Sequence, residues 1–404
     1  MNARRLVAGV AAAVALAGTA GRGFDGNAAR PQAPAGWDAV RAFFAAGLQQ
    51  HGIVGASLAF VRGPGGVTIE TAGLADRAAS APVTSDTIYH WASITKTFTA
   101  VAIMQLRDRG RLTLDDPIVD YVPELAAVHN PHGSMRAITI RHLLSHSAGF
   151  RAGTWPWGGD RPWHPFEPPG WEQVAAMMPY TEILFPPGSR YSYSNPGLIF
   201  LGRVIEKLSG EPYETYVEKE ILRPLAMADT FFDRAPSSLR HRRSHSYFVA
   251  DAGITEAPFD FDTGITVSNG GLNAPIGDMA KWIGFLIGLS APNGGAILKR
   301  RSLEEMFRPV VPVPAEGVGE DGVGVGAMGL SFFLEKHGGL ELIAHSGSQN
   351  GFISHFYIHP ATRSGYIVAF NTQTTSKASG KARNTRAFDA ALRDVIVKNV
   401  WGGD

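Results

Sequence analysis

Cysteine is absent from the 404 residues. That excludes disulfides, a thiolate nucleophile and a lipidated cysteine anchor, so stability has to come from a large core. A charge excess is missing too: 37 Lys+Arg face 36 Asp+Glu, a net charge of +1. Such balance gives no reason to expect nucleic acid or an anionic membrane as partner, and RAPSSLRHRRSHS (234 to 246) reads as a solvated loop. The apolar stretch Leu6 to Ala17 is shorter than the about 20 residues of a membrane span. No G-x-S-x-G occurs, against a conventional α/β-hydrolase. H-E-x-x-H is also missing and HNPH (129 to 132) looks like a turn, so no metal site is expected. No cofactor is implied, and no internal repeat is visible.

The N-terminus carries what an export signal needs. Arg4 and Arg5 form a positive n-region, and the small-x-small pairs Ala15/Ala17 and Gly18/Ala20 suit a signal peptidase. Residues 1–20 are therefore expected to be a signal peptide and 21–36, GRGFDGNAARPQAPAG, a linker. The mature chain is expected in a periplasm or outside the cell, with no stable membrane anchor after cleavage and a small molecule or peptide as its substrate.

From residue 37 the pattern is that of an α/β protein of the α+β type. WDAVRAFFAAGLQQ has helical spacing, and GASLAFVR and GVTIETAGLA are strand-like runs split by the turn GPGG. After Ser93 a helix carries Ile94, Phe98, Val101, Met104 and Leu106 inward and stops near Gly110. Residues 111 to about 265 are rich in proline and helix. From about 327 four alternating runs, GLSFFLEK, LELIAHSG, FISHFYIHP and SGYIVAFNT, are joined by HGG, SQNG and ATRSG as an antiparallel meander. RAFDAALRDVIVKNV closes the chain as a helix. The expectation is an antiparallel sheet flanked by helices (37–95 and 270–404) holding a mostly helical lobe (96–269). TWPWGGDRPWHPFEPPGW (154 to 171) holds four of the eight tryptophans and reads either as an aromatic-stapled loop or as a wall of the substrate pocket.

Three groups carry chemistry. Ser93 and Lys96 in HWASITKTFTA stand three apart, so on a helix they face the same way and can hydrogen-bond. With nine lysines an S-x-x-K arises by chance about half a time, so its place at the head of an apolar helix decides. There the free N–H groups favour a developing oxyanion, and a buried lysine loses solvation and becomes a proton acceptor. RYSYSNPG places Tyr193 and Asn195 on the same side of an extended piece, where a phenol beside a lysine can serve as general base or simply finish a turn. LELIAHSGSQNGF sets His345 on a strand just before Gly347, which would let a substrate backbone approach the strand edge.

In that order and context the three groups resemble the serine β-lactamase and penicillin-binding superfamily. More narrowly they are similar to the branch with class C β-lactamases, D-Ala-D-Ala carboxypeptidases, D-aminopeptidases and β-lactamase-like esterases. DTIYHWASITKTFTA, LTLDDPIVDYVPEL, ITIRHLLSHSAGF, FPPGSRYSYSNPGLIFLGRVIEKLSG and SNGGLNAPIGDMAKW extend the resemblance over about residues 40 to 370. It implies a β-lactamase/transpeptidase-like fold with the site between sheet and helical lobe. Ser93 would be the acylated nucleophile, Lys96 its proton acceptor and tuner of Tyr193, and Tyr193 the general base and water activator. Asn195 would hold the substrate amide and Lys96, and the N–H groups of Ser93 and Ser348 would form the oxyanion hole. The class A triplet is S-x-x-K, S-D-N and K-T-G. Here Y-S-N fits the class C branch, and H-S-G replaces a permanent charge by an imidazole about a quarter protonated at pH 7 when unperturbed. The implied activity is cleavage of an amide or ester through a serine acyl-enzyme; the alternative is a protein of the same fold that only binds penicillin or peptidoglycan.

Overall fold

The computed structural model describes residues 33–63, 66–151, 170–291, 297–314, 325–376 and 383–403. The expected signal peptide, most of the linker and nearly all of the Trp-rich stretch 154 to 171 lie outside them.

Nine antiparallel strands form the main sheet, in the order Ala81–Pro82, Gly66–Asp76, Gly55–Arg62, Ser364–Phe370, Phe352–His359, Leu340–Gln349, Phe333–His337, Val325–Met328 and Val311–Pro312. The meander from Phe333 to Phe370 is thus consecutive in space, as its tight turns require. Both faces are covered, which explains the unbroken apolar run in Gly55–Arg62. Leu58 and Phe60 point into one core with Trp37, Phe44, Phe388 and Leu392, while Ala59 and Val61 point into the other. The first core lies under two terminal helices. Trp37–His51 buries Trp37, Val40, Phe44 and Leu48, and Thr385–Asn399 buries Phe388, Leu392 and Ile396 at the same helical spacing. The first helix ends at Gly52, whose φ of 67° lets its N–H reach the carbonyls of Gln49 and Leu48.

On the opposite face, Thr95–Asp108 is buried on every side, from Thr95 through Leu106, rather than on one stripe. A helix in that position can carry threonines only if their hydroxyls are satisfied. Thr95 and Thr97 donate to the carbonyls of Ala92 and Ile94 at 2.6 and 2.7 Å, and Thr99 to Ser268 O at 2.6 Å. Phe98 stacks on Trp282 of the Ile276–Leu286 helix with ring centroids 3.7 Å apart. The middle of the chain is less uniformly helical than its proline-rich sequence suggests. Tyr247–Ala250 pairs with Gly253–Glu256 and runs parallel to Thr372–Ser376, so part of the expected helical lobe is stitched to the sheet side. The pairing joins segments more than a hundred residues apart, which no local pattern reveals. Among the described residues no helix is long and apolar enough to cross a membrane.

Candidate active site

Ser93 does not open the long helix directly. It sits in a one-turn 3-10 helix, Ala92–Ile94, between the strand Ile88–His90 and Thr95–Asp108. The chain enters this turn through Ala92, whose φ of 46° is left-handed. A non-glycine residue in that region costs energy, and such turns are characteristic of functional sites. The turn leaves Ser93 partly exposed while its neighbours are buried.

Lys96 Nζ lies 2.9 Å from Ser93 Oγ, as the spacing predicts. Its other neighbours are the two oxygens of Asn269: the carbonyl at 2.8 Å and Oδ1 at 3.4 Å. Asn269 is fixed by its own Nδ2 donating to Thr266 O at 2.8 Å. Here the structure corrects an expectation: the asparagine on Lys96 is Asn269, not Asn195. Asn195 begins the helix Asn195–Ser209 behind the N-cap Ser194, and its buried Oδ1 has no protein partner. The SNGG phrase contained Asn269, but only the fold brings it across 173 residues to Lys96. Lys96 is fully buried, and this desolvation drives its pKa well below the usual lysine value. A neutral amine there can aim two N–H bonds at Asn269 and its lone pair at the Ser93 hydroxyl.

Tyr193 faces the same serine. Its ring centroid is 5.1 Å from Lys96 Nζ. Burial pushes the phenol pKa up, with a hydrogen bond to Ser93 only partly opposing the rise. Desolvation therefore acts on both members in one sense, toward a neutral amine beside a neutral phenol, and away from ammonium beside phenolate.

His345 is 1% exposed on Leu340–Gln349. Its Nδ1 donates to Ser346 O at 2.7 Å, which leaves Nε2 with its lone pair. Burial, then the nearby Lys96, lowers its pKa to about 3. The site thus holds a neutral imidazole, not the fractionally charged one of an exposed strand end.

Gly347 has a reason within the protein itself. A Cβ there would stand 2.2 Å from Trp91 O and 3.2 Å from Ser93 N. The absent side chain lets the strand close onto the serine turn, and Ser354 Oγ donates to the same Trp91 carbonyl at 3.2 Å. The ladder with Phe333–His337 ends at Ala344, so among the described residues the edge from His345 to Gln349 has no strand partner on that side. Ser348 lies on this edge, one residue past Gly347, where the turn docks.

One residue at this site went unnoticed in the sequence. His146 stacks on Tyr193 with centroids 4.4 Å apart and planes 24° apart. It belonged to the phrase LLSHSAGF, where nothing distinguishes it from a helix-end histidine.

Residues 40–391 match the model of the Beta-lactamase family, and the chain belongs to that family. It is 26% identical over 291 residues, 70% of each chain, to the D-alanyl-D-alanine-carboxypeptidase/endopeptidase AmpH of Escherichia coli. It is also 33% identical over 204 residues to Esterase EstB of Burkholderia gladioli, a match covering 47% of this chain and 50% of the esterase. Among solved structures, the octameric penicillin-binding protein homologue from Pyrococcus abyssi aligns with a TM-score of 0.71 at 28% identity, over 90% of this chain and 79% of that one. D-amino acid amidase from Ochrobactrum anthropi SV3 shares the fold at a TM-score of 0.75 and 22% identity, over 91% and 99%.

Proposed function

We propose that the chain is an exported serine hydrolase that cleaves neutral carboxylic esters or amides through an acyl-enzyme on Ser93. The observation that carries this reading is Lys96 Nζ at 2.9 Å from Ser93 Oγ, in surroundings that favour the free amine. Lys96 takes the Ser93 proton as Oγ bonds to the substrate carbonyl carbon. The N–H groups of Ser93 and Ser348, on the two segments that meet at Gly347, receive the oxyanion. As the carbon–leaving-group bond breaks, the proton passes through the Tyr193 phenol to the departing alcohol or amine. Water then attacks the acyl ester, its proton following the same route back to Ser93 Oγ, and a carboxylic acid leaves. Tyr193 works as a neutral relay rather than as the general base expected from its nearness to a lysine. Asn195 holds the substrate's amide side chain.

Neutral substrates are favoured because the groups facing Ser93 are held uncharged. His345, buried and with its proton on Nδ1, supplies no positive charge to anchor a substrate carboxylate. The Arg4-Arg5 start and the apolar run after it support export to a periplasm or beyond.

Side-by-side turnover of p-nitrophenyl esters of graded chain length and a fluorescent penicillin, from pH 5.5 to 8.5, tests the reading. Ester hydrolysis should exceed penicillin hydrolysis throughout. Penicillin turnover that dominates below pH 7 and collapses above it would show His345 charging as a carboxylate anchor and would overturn the preference. A lasting penicillin adduct with no turnover of any substrate would make the chain a binding protein instead.

A further inference from the structure

We propose that His146 is a positioning residue that holds the Tyr193 phenol in its relay geometry. The inference rests on the role given to Tyr193 above. Tyr193 lies on an irregular segment, with no helix or strand between Gly188 and Asn195 to fix it. Backbone donors on such a segment need partners from elsewhere, and both donors flanking Tyr193 find them on one residue. Ser192 N–H donates to the His146 carbonyl at 2.8 Å, and Ser194 N–H donates to His146 Nδ1 at 3.1 Å. Between those two bonds the imidazole lies flat against the phenol ring at 4.4 Å. His146 therefore holds the tyrosine before, after and across its face.

The geometry also fixes the state of the ring. Nδ1 accepts a hydrogen bond, so it carries no proton, and the neutral ring bears its hydrogen on Nε2. Burial, Lys96 and His345 all oppose a positive charge there. A neutral imidazole can lie against the phenol without competing for the proton that Tyr193 passes. His146 reaches this place with a left-handed φ of 53°, uncommon for a residue other than glycine, although histidine adopts it more readily than most. The contacts around Tyr193 compensate for it, which is how strain is normally retained at a working site.

The test uses His146→Phe, which keeps a ring but deletes the acceptor, and His146→Asn, which tolerates left-handed backbone and offers Oδ1 to Ser194 N–H. With a neutral p-nitrophenyl ester, His146→Phe should lower kcat about 10- to 100-fold, the scale of a roughly 1 Å misplacement, with KM little changed. His146→Asn should recover most of that loss. In a Tyr193→Phe background, His146→Phe should cost nothing further, because it acts only through the phenol. Full additivity in that cycle, or His146→Asn no better than His146→Phe, would overturn the positioning role while leaving the role of Tyr193 intact. An unchanged rate in Tyr193→Phe alone would overturn both. Hydrogen exchange on the wild-type chain needs no variant: the Ser192 and Ser194 amides should be protected, and free exchange of Ser194 would overturn the proposal.

Discussion

Gly347→Ala adds a single methyl group, and the structure sets what it should cost. The new Cβ would meet Trp91 O at 2.2 Å and Ser354 Oγ at 2.7 Å, against the 3.4 Å at which ordinary contact begins. Ser354 can rotate away and give up its bond to Trp91 O. Trp91 O cannot, because it is backbone and already accepts the Ile94 N–H of the serine turn at 3.2 Å. The strand and the Trp91–Ser93 turn must then separate by roughly 1 Å to restore contact distance. That gap opens between the two amides assigned to the oxyanion. A misplacement of this size typically costs about 100-fold in rate, while overpacking costs about 1–3 kcal/mol of stability. A family member with two large buried cores should remain folded at 25 °C under that load. Steady-state hydrolysis of a neutral p-nitrophenyl ester should therefore fall about 100-fold in kcat, with a modest drop in Tm by calorimetry. Activity within about twofold of wild type would refute the close approach and, with it, the explanation of the H-S-G glycine.

Tyr193→Phe keeps the ring and its stack on His146 but deletes the relay. A fall of about 10²- to 10⁴-fold in kcat, the range for loss of a general acid–base, is expected with normal thermal unfolding; an unchanged rate would leave Lys96 to act alone. His345→Gln tests the buried neutral imidazole through stability. In the folded chain its pKa is about 3, whereas unfolded it titrates near 6.5. Only the unfolded chain takes up this proton in the window between, so stability falls as pH drops through it. Between pH 7 and 5.5 the group should cost wild type about 1 kcal/mol. Urea midpoints should show that much less pH dependence in His345→Gln, and equal pH dependence would mean an exposed or charged His345.

Local pattern carried the sequence reading far. The terminal helices, the meander and the i, i+3 placement of Ser93 and Lys96 depend on short-range periodicity, and the structure places them as that periodicity predicts. Contacts that the fold makes across long separations were invisible. Asn269 reaches Lys96, and His146 grips the segment around Tyr193, and neither SNGG nor LLSHSAGF reveals these partners. Gly347 was noticed, but its packing reason was hidden, since nothing in LELIAHSG reveals that Trp91 O occupies the space. Charge states were equally hidden. His345 next to a turn resembles an exposed strand end, and only the packing of a two-sided sheet shows that it is buried and neutral.

The central claim is that Ser93 is acylated. Intact-mass spectrometry of the chain after brief exposure to a fluorophosphonate or a penicillin tests it most directly. One adduct per chain should appear, map to the peptide containing Ser93, and vanish together with ester turnover in Ser93→Ala. An adduct that persists in Ser93→Ala, mapping to Ser147 or Ser346, or near wild-type turnover by that variant, would contradict the account.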